Sequence, residues 1–90
     1  QTNVFPKKAK LRSVVVKDGI ATVDFSKELQ TNFSGGSTGE EMLIGSIVNT
    51  LTDFPEVQKV SILIDGSAVE TLSGHMDLSE PLTRMTELLK

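Results

Sequence analysis

Val14-Val15-Val16-Lys17-Asp18-Gly19-Ile20-Ala21-Thr22-Val23 sets an Asp-Gly pair between two runs of β-forming residues, and Val60-Ser61-Ile62-Leu63-Ile64-Asp65-Gly66 repeats the arrangement. Asp-Gly in that setting predicts a two-residue hairpin, because a type I′ turn needs positive φ at both central residues and these two tolerate it. The first turn joins a strand from about Leu11 to Lys17 to one from about Ile20 to Phe25. That register places Val16 opposite Ala21 and Val14 opposite Val23. Val14, Val16, Ala21, Val23 and Phe25 then share an apolar face, with Ser13, Val15, Lys17, Thr22 and Asp24 on the other. The second turn joins a strand from about Gln58 to Ile64 to one from about Ala68 to Leu72.

Between the hairpins lies a polar connection with Leu29 and Phe33 as apolar anchors, then Gly35-Gly36-Ser37-Thr38-Gly39-Glu40. Ser37 and Glu40 have the spacing of a capping box. Met42, Leu43, Ile44, Ile47, Val48, Leu51 and Phe54 follow at three- and four-residue intervals, which predicts an amphipathic helix from about Thr38 to Phe54. Pro55 stops it, since the residue before a proline is pushed out of the α region. Asp77 and Glu80 offer a second capping box, and Leu78, Leu82, Met85 and Leu89 predict a short terminal helix from about Ser79 to Leu89. The expected fold is α+β: two β-hairpins forming a small sheet, one central amphipathic helix packed on one face, and a short C-terminal helix. Residues 1–10 form a lead-in and residues 11–90 a single domain.

A chain of 90 residues buries little more than about 60% of its unfolded surface, so its core is small. No apolar run is long enough to span a membrane as a helix. The net charge is −3, and the basic residues are scattered apart from Lys7-Lys8-Ala9-Lys10-Leu11-Arg12. Such a run either touches an acidic surface or leads into an edge strand, where lysine discourages aggregation. All four aromatics are phenylalanine; without Trp or Tyr for base stacking, nucleic acid is not an expected partner. The absence of cysteine excludes disulfides, thiolate catalysis and cysteine-based zinc sites within these residues. Gln1 is not an initiator methionine, so a processed chain or an excised domain is expected, with any anchor lying upstream.

The residues that could carry chemistry each have a local explanation. The glycine loop before the helix lacks the lysine of a phosphate-binding loop and the spacing of a dinucleotide fingerprint. His75 is the only histidine and sits in a Gly74-His75-Met76 turn. Asp18 and Asp65 are turn residues, while Asp77, Glu40 and Glu41 suit helix N-termini. Asp24 and Asp53 remain, and no register pairs them. No catalytic, cofactor-binding or metal-ligating residue is assigned, and no cofactor is expected.

The order of these signals from Lys10 to Arg84 resembles the GerMN domain of bacterial sporulation and spore-germination proteins. The pieces are Leu11-Arg12-Ser13-Val14-Val15-Val16-Lys17-Asp18-Gly19-Ile20-Ala21-Thr22-Val23-Asp24-Phe25-Ser26, Gly36-Ser37, and Ile47-Val48-Asn49-Thr50-Leu51-Thr52-Asp53-Phe54-Pro55-Glu56-Val57. Val60-Ser61-Ile62-Leu63-Ile64-Asp65-Gly66 and Leu72-Ser73-Gly74-His75-Met76-Asp77-Leu78-Ser79-Glu80-Pro81-Leu82 complete the set. The resemblance implies a non-enzymatic protein-interaction or scaffolding domain of the cell envelope, similar to the ring-building modules of secretion systems. It implies an extracytoplasmic location, anchored as a lipoprotein, with other envelope or sporulation proteins as partners. Family members usually begin with a further strand and helix before the Phe5-Pro6 region, and that segment is missing from residues 1–90. Its loss leaves an open sheet edge and room for a weak homo-oligomer through it. The alternative is an extracytoplasmic small-molecule or glycan-binding sensor module that uses the loop around Gly35 and Gly36.

Overall fold

The computed structural model describes residues 8–74 and 76–84. Strand β1 (Leu11–Lys17) turns at Asp18-Gly19 into β2 (Ile20–Phe25), and a four-residue helix α1 (Glu28–Thr31) leads to the long helix α2 (Gly36–Thr52). Strand β3 (Lys59–Ile64) turns at Asp65-Gly66 into a two-residue β4 (Ser67–Ala68). One sheet results, in the order β1-β2-β3-β4. Its two hairpins are antiparallel and meet where β2 runs parallel to β3, from Ile20 beside Lys59 to Phe25 beside Ile64.

Both Asp-Gly turns have the expected backbone, with φ of 54° and 81° at Asp18 and Gly19 and 50° and 79° at Asp65 and Gly66. Each turn is also tied to the neighbouring hairpin. The carbonyl of Gly19 accepts the N–H groups of Gln58 (2.7 Å) and Lys59 (3.1 Å). At the other end, the Gly66 N–H donates to Asp24 Oδ1 at 2.8 Å. The register also matches expectation, Val16 facing Ala21 and Val14 facing Val23. It then shifts by one residue between Leu11 and Ser13. That bulge leaves Leu11 beside Phe25 and lets the Arg12 guanidinium reach Asp24 (3.7 Å) and Asp65 (3.4 Å).

The core is built from Ala21, Val23 and Phe25 of β2, Val60, Ile62 and Ile64 of β3, and Leu43, Ile44 and Val48 of α2, all buried. Leu29, Val57, Leu72 and Leu78 close it from the connections. The apolar stripe of α2 is therefore narrower than its sequence suggests. Ile47 and Leu51 are only partly covered, and Met42 and Phe54 are exposed.

Three local expectations need correction. Ser37 and Glu40 do not form a capping box: α2 begins at Gly36, without a side-chain cap, and Glu40 is fully buried and turned toward a different segment. The fourth strand ends at Ala68 rather than Leu72, because Leu72 and Ser73 give their N–H groups to Glu40 instead of to β3. Residues 79–84 are not helical. The Asp77 carboxylate accepts both the N–H and the hydroxyl of Ser79 (2.9 and 2.5 Å), which closes a tight turn, and Leu82 then exchanges backbone hydrogen bonds with Val60 (2.8 and 2.7 Å). The rest of the expected terminal helix, residues 85–90, lies outside the described residues.

Ile44→Ala should lower unfolding free energy by about 2 to 5 kcal/mol, since it empties a fully buried site between α2 and the sheet. Leu51→Ala, at the half-covered margin, should cost less than half as much. Denaturant midpoints of the two variants test the placement of the helix, and the reverse order would show that α2 is rotated. In the second turn, Gly66→Ala should cost about 1 to 2 kcal/mol from its positive φ alone, because an added Cβ would meet nothing nearer than Asp24 Oδ2 at 3.8 Å. An unchanged melting temperature for Gly66→Ala would contradict the type I′ geometry.

Candidate interaction surface

Two features stand apart from the core: a buried carboxylate near the β4 edge of the sheet, and an apolar groove beside β1. The carboxylate is Glu40, one turn into α2. Its Oε2 accepts the N–H groups of Leu72 and Met76, each at 3.1 Å. Its Oε1 accepts the N–H and the hydroxyl of Ser73, at 3.1 and 2.7 Å. Burial alone would raise the pKa of this carboxyl, but the Ser73 hydroxyl and the three backbone N–H groups outweigh it and hold the pKa below the ordinary glutamate value.

The clamp fixes the segment after β4. Gln30 Nε2 donates to the Thr71 carbonyl at 2.9 Å, Thr71 Oγ1 accepts the Gly74 N–H at 3.0 Å, and Leu78 N–H returns to the Glu70 carbonyl at 2.6 Å. Leu72 and Leu78 are thereby pressed into the core. Arg84 then reaches the C-terminus of α2 and donates to the Asn49 carbonyl (3.0 Å), Thr52 Oγ1 (3.3 Å) and Asp53 Oδ1 (2.7 Å). It adds a donor at a helix end, where the last carbonyls lack backbone N–H partners within the helix.

Among the described residues no equivalent segment covers β1. All seven of its residues are exposed, and Val14 and Val16 keep 43% and 45% of their surface although they lie on the core side. The long helix lies over β3, so a groove of about 270 Å³ opens between β1 and α2. Leu11, Val14, Val23 and Phe25 form its floor, and Ser46, Ile47, Thr50 and Leu51 form its helix wall.

The residues weighed for chemistry are all engaged in structure or set apart. Asp24 is buried, accepts the Gly66 N–H and faces Arg12. Asp53 pairs with Arg84. Asp24 and Asp53 are not brought together, and His75 lies outside the described residues. The Asp77 pKa is lowered by the hydroxyl and backbone N–H of Ser79, which accounts for its carboxylate locally. The glycine loop folds onto its own aromatic: a Cβ at Gly35 would come within 2.9 Å of the Phe33 ring. A polar hollow of about 490 Å³ lies beside Glu70, Thr71 and Asp77, but Thr71 and Asp77 spend their oxygens within the loop. Among the described residues no group of three or more His, Cys, Asp or Glu could hold a metal ion. The role of Glu40 escaped sequence reasoning because a glutamate three residues after a serine fits a helix cap equally well; its donors lie more than thirty residues downstream.

This four-stranded sheet under one long helix defines a small α+β domain of the GerMN kind. The family model described as "Germane: Sporulation and spore germination" matches residues 1–70, and the chain belongs to that family. The spore germination protein GerM of Bacillus subtilis is 30% identical over 77 residues, which cover 81% of this chain and 20% of GerM. A candidate lipoprotein from Clostridium perfringens is similar in structure, with a TM-score of 0.83 and 36% identity over 92% of this chain and 54% of that one. The tandem GerMN domains of B. subtilis GerM give a TM-score of 0.74 at 27% identity, covering 89% of this chain and 28% of theirs. The first GerMN domain alone gives 0.74 at 28%, covering 90% and 59%. The chain thus spans a fifth of curated GerM and little more than half of the lipoprotein structure.

Glu40→Gln should destabilise the domain by about 2 to 4 kcal/mol at neutral pH, because it places an amide N–H₂ among buried donors. A lowered folded-state pKa makes the carboxylate contribution complete above the ordinary value of 4.5 and lost as pH falls through the lower folded value. The gap between parent and variant should therefore narrow on going from pH 7 to pH 3. Urea unfolding at both pH values checks this, and an equal gap at each would show that the charge contributes nothing.

Proposed function

We propose that this domain is a non-enzymatic protein-interaction or scaffolding module of the bacterial cell envelope. It acts on the outer side of the membrane as part of a longer lipoprotein, with other envelope or sporulation proteins as its partners. The observation that carries this is the exposure of β1 among the described residues, where an apolar groove lies beside the strand, on a chain related to a sporulation protein and similar to a candidate lipoprotein. The carboxylates support the same reading, since the two buried among the described residues, Asp24 and Glu40, accept backbone N–H groups and do not face each other across a cleft. A small-molecule sensor using the Gly35-Gly36 loop is less well supported, because Phe33 occupies the space beside Gly35.

The test is site-specific photocross-linking of the full-length protein in a spore-forming host, with the probe placed in turn at Lys10, Val15, Lys17, Met42, Phe54 and Glu80. Cross-links to envelope proteins, concentrated at a subset of these positions and recovered in the membrane fraction, are the expected outcome. An absence of protein adducts at every position, or turnover of a substrate by the purified domain, would overturn the proposal.

A further inference from the structure

The two Asp-Gly turns share a backbone, with positive φ at both residues of each, yet differ in what holds the peptide between those residues. In the second turn that peptide is pinned. The Gly66 N–H donates to Asp24 Oδ1 at 2.8 Å, and the Asp65 carboxylate accepts from the Arg12 guanidinium at 3.4 Å. The first turn is held one peptide further on, where the Gly19 carbonyl accepts the N–H groups of Gln58 and Lys59. Among the described residues no group accepts the Gly19 N–H or pairs with the Asp18 carboxylate, although the exposed Gln58 side chain lies beside Gly19. The chain enters β1 at the far end of this hairpin, where Lys10 and Ser26 bond each other, a full strand away from Asp18.

That difference decides whether the central peptide can rotate. Turning the Asp-Gly peptide plane over reverses φ at the glycine and carries ψ of the aspartate to about −120°, which converts a type I′ turn into a type II′ turn. Both are two-residue hairpin turns, so the strands keep their register, and glycine accepts either sign of φ. In the type I′ form the glycine nitrogen lies on the side of the aspartate away from Cβ. In the type II′ form it is nearly eclipsed with Cβ, within reach of Cγ. Positive φ with extended ψ suits glycine far better than aspartate, so the second form is sparse and anything that follows from it is slow. At Asp18 the rotation leaves the Gly19 carbonyl bonded to Gln58 and Lys59. At Asp65 it breaks the Gly66 bond to Asp24.

We infer that Asp18 is a site of spontaneous isoaspartate formation, and that Asp24 and Arg12 shield the otherwise equivalent Asp65. The Gly19 nitrogen bonds to Cγ of Asp18 while its proton and the carboxyl hydroxyl leave as water, which gives a cyclic imide. Water then adds at one of the two imide carbonyl carbons. Cleavage of the nitrogen's bond to Cγ restores aspartate. Cleavage of its bond to the main-chain carbonyl carbon leaves isoaspartate, with the backbone routed through the side chain. The product carries an extra backbone methylene in a turn whose closing pair is Lys17 and Ile20, so the modification loosens β1 from β2.

The test is to age the full-length protein for weeks in neutral buffer, native or unfolded in urea, and to count isoaspartate at each site by peptide mass spectrometry. Asp-N protease, which cuts before aspartate and not before isoaspartate, gives an independent count. In urea the two sites should convert at similar rates, since glycine follows both aspartates. In the native protein Asp18 should convert about tenfold faster than Asp65 or more, the factor that a hydrogen bond to a charged group commands. Asp24→Ala should raise the Asp65 rate toward that of Asp18. Asp24→Asn, whose amide oxygen can still accept the Gly66 N–H, should keep most of the protection. Should Asp24→Ala fail to fold, the native ratio in the unaltered protein decides. The inference is overturned if Asp65 matches or outpaces Asp18 in the native state, or if the native ratio persists in urea. It is equally overturned if neither native site converts while the unfolded chain does, or if a folded Asp24→Ala leaves Asp65 as slow as before.

Discussion

The architecture depends on the carboxylate of Glu40. Burying a charged glutamate without compensation costs several kcal/mol, and here four donors on a single loop offset that cost. The requirement works in both directions. The glutamate needs the loop for its hydrogen bonds, and the N–H groups of Leu72, Ser73 and Met76 need the glutamate because they have left the sheet. With the exchange in place, Leu72 and Leu78 are buried in the same core as α2, β2 and β3. A two-residue fourth strand is the consequence, since the chain cannot serve both β3 and the carboxylate.

The same economy leaves the opposite half of the sheet open. One helix over β3 and one clamped loop beside it account for the buried residues of β2 and β3, and no described segment remains to lie over β1. Val14 and Val16 point to the correct side of the sheet yet stay half exposed. Their exposure thus reflects where the described segments pack and not a misplaced strand. An apolar groove bordered by an open edge is a different object from a scatter of surface valines, because the backbone and the side chains present their unsatisfied valences on the same strip.

Much of this was legible in the sequence where the determinants are local. Asp18-Gly19 and Asp65-Gly66 specify their own φ values and therefore the strand registers, and the 3.6-residue recurrence of Leu43, Ile44 and Val48 specifies the buried face of α2. The readings that failed depend on contacts far along the chain. Ser37 with Glu40 has the spacing of a cap, but the partner that wins lies at Leu72 to Met76. Leu78 and Leu82 have helical spacing, but Asp77 closes a turn on Ser79 and the backbone of Leu82 is taken by Val60. Periodicity cannot tell a helix from a looped strap whose apolar residues meet the same core. The bulge at Arg12 was likewise hidden, because the aspartates that Arg12 meets lie at the ends of two other strands.

That bulge also bears on how firmly β1 is held. Arg12 joins β1 to Asp24 at the end of β2 and to Asp65 at the second turn, while Asp24 holds the N–H of Gly66. At the other end the Gly19 carbonyl is held by Gln58 and Lys59. The exposed strand is thus tied to the second hairpin at both ends, although little covers its middle. An edge strand held at neither end would be free to fray, and its valines would then be available to any unfolded chain. Two anchored ends therefore keep this exposed strand extended and in register with β2.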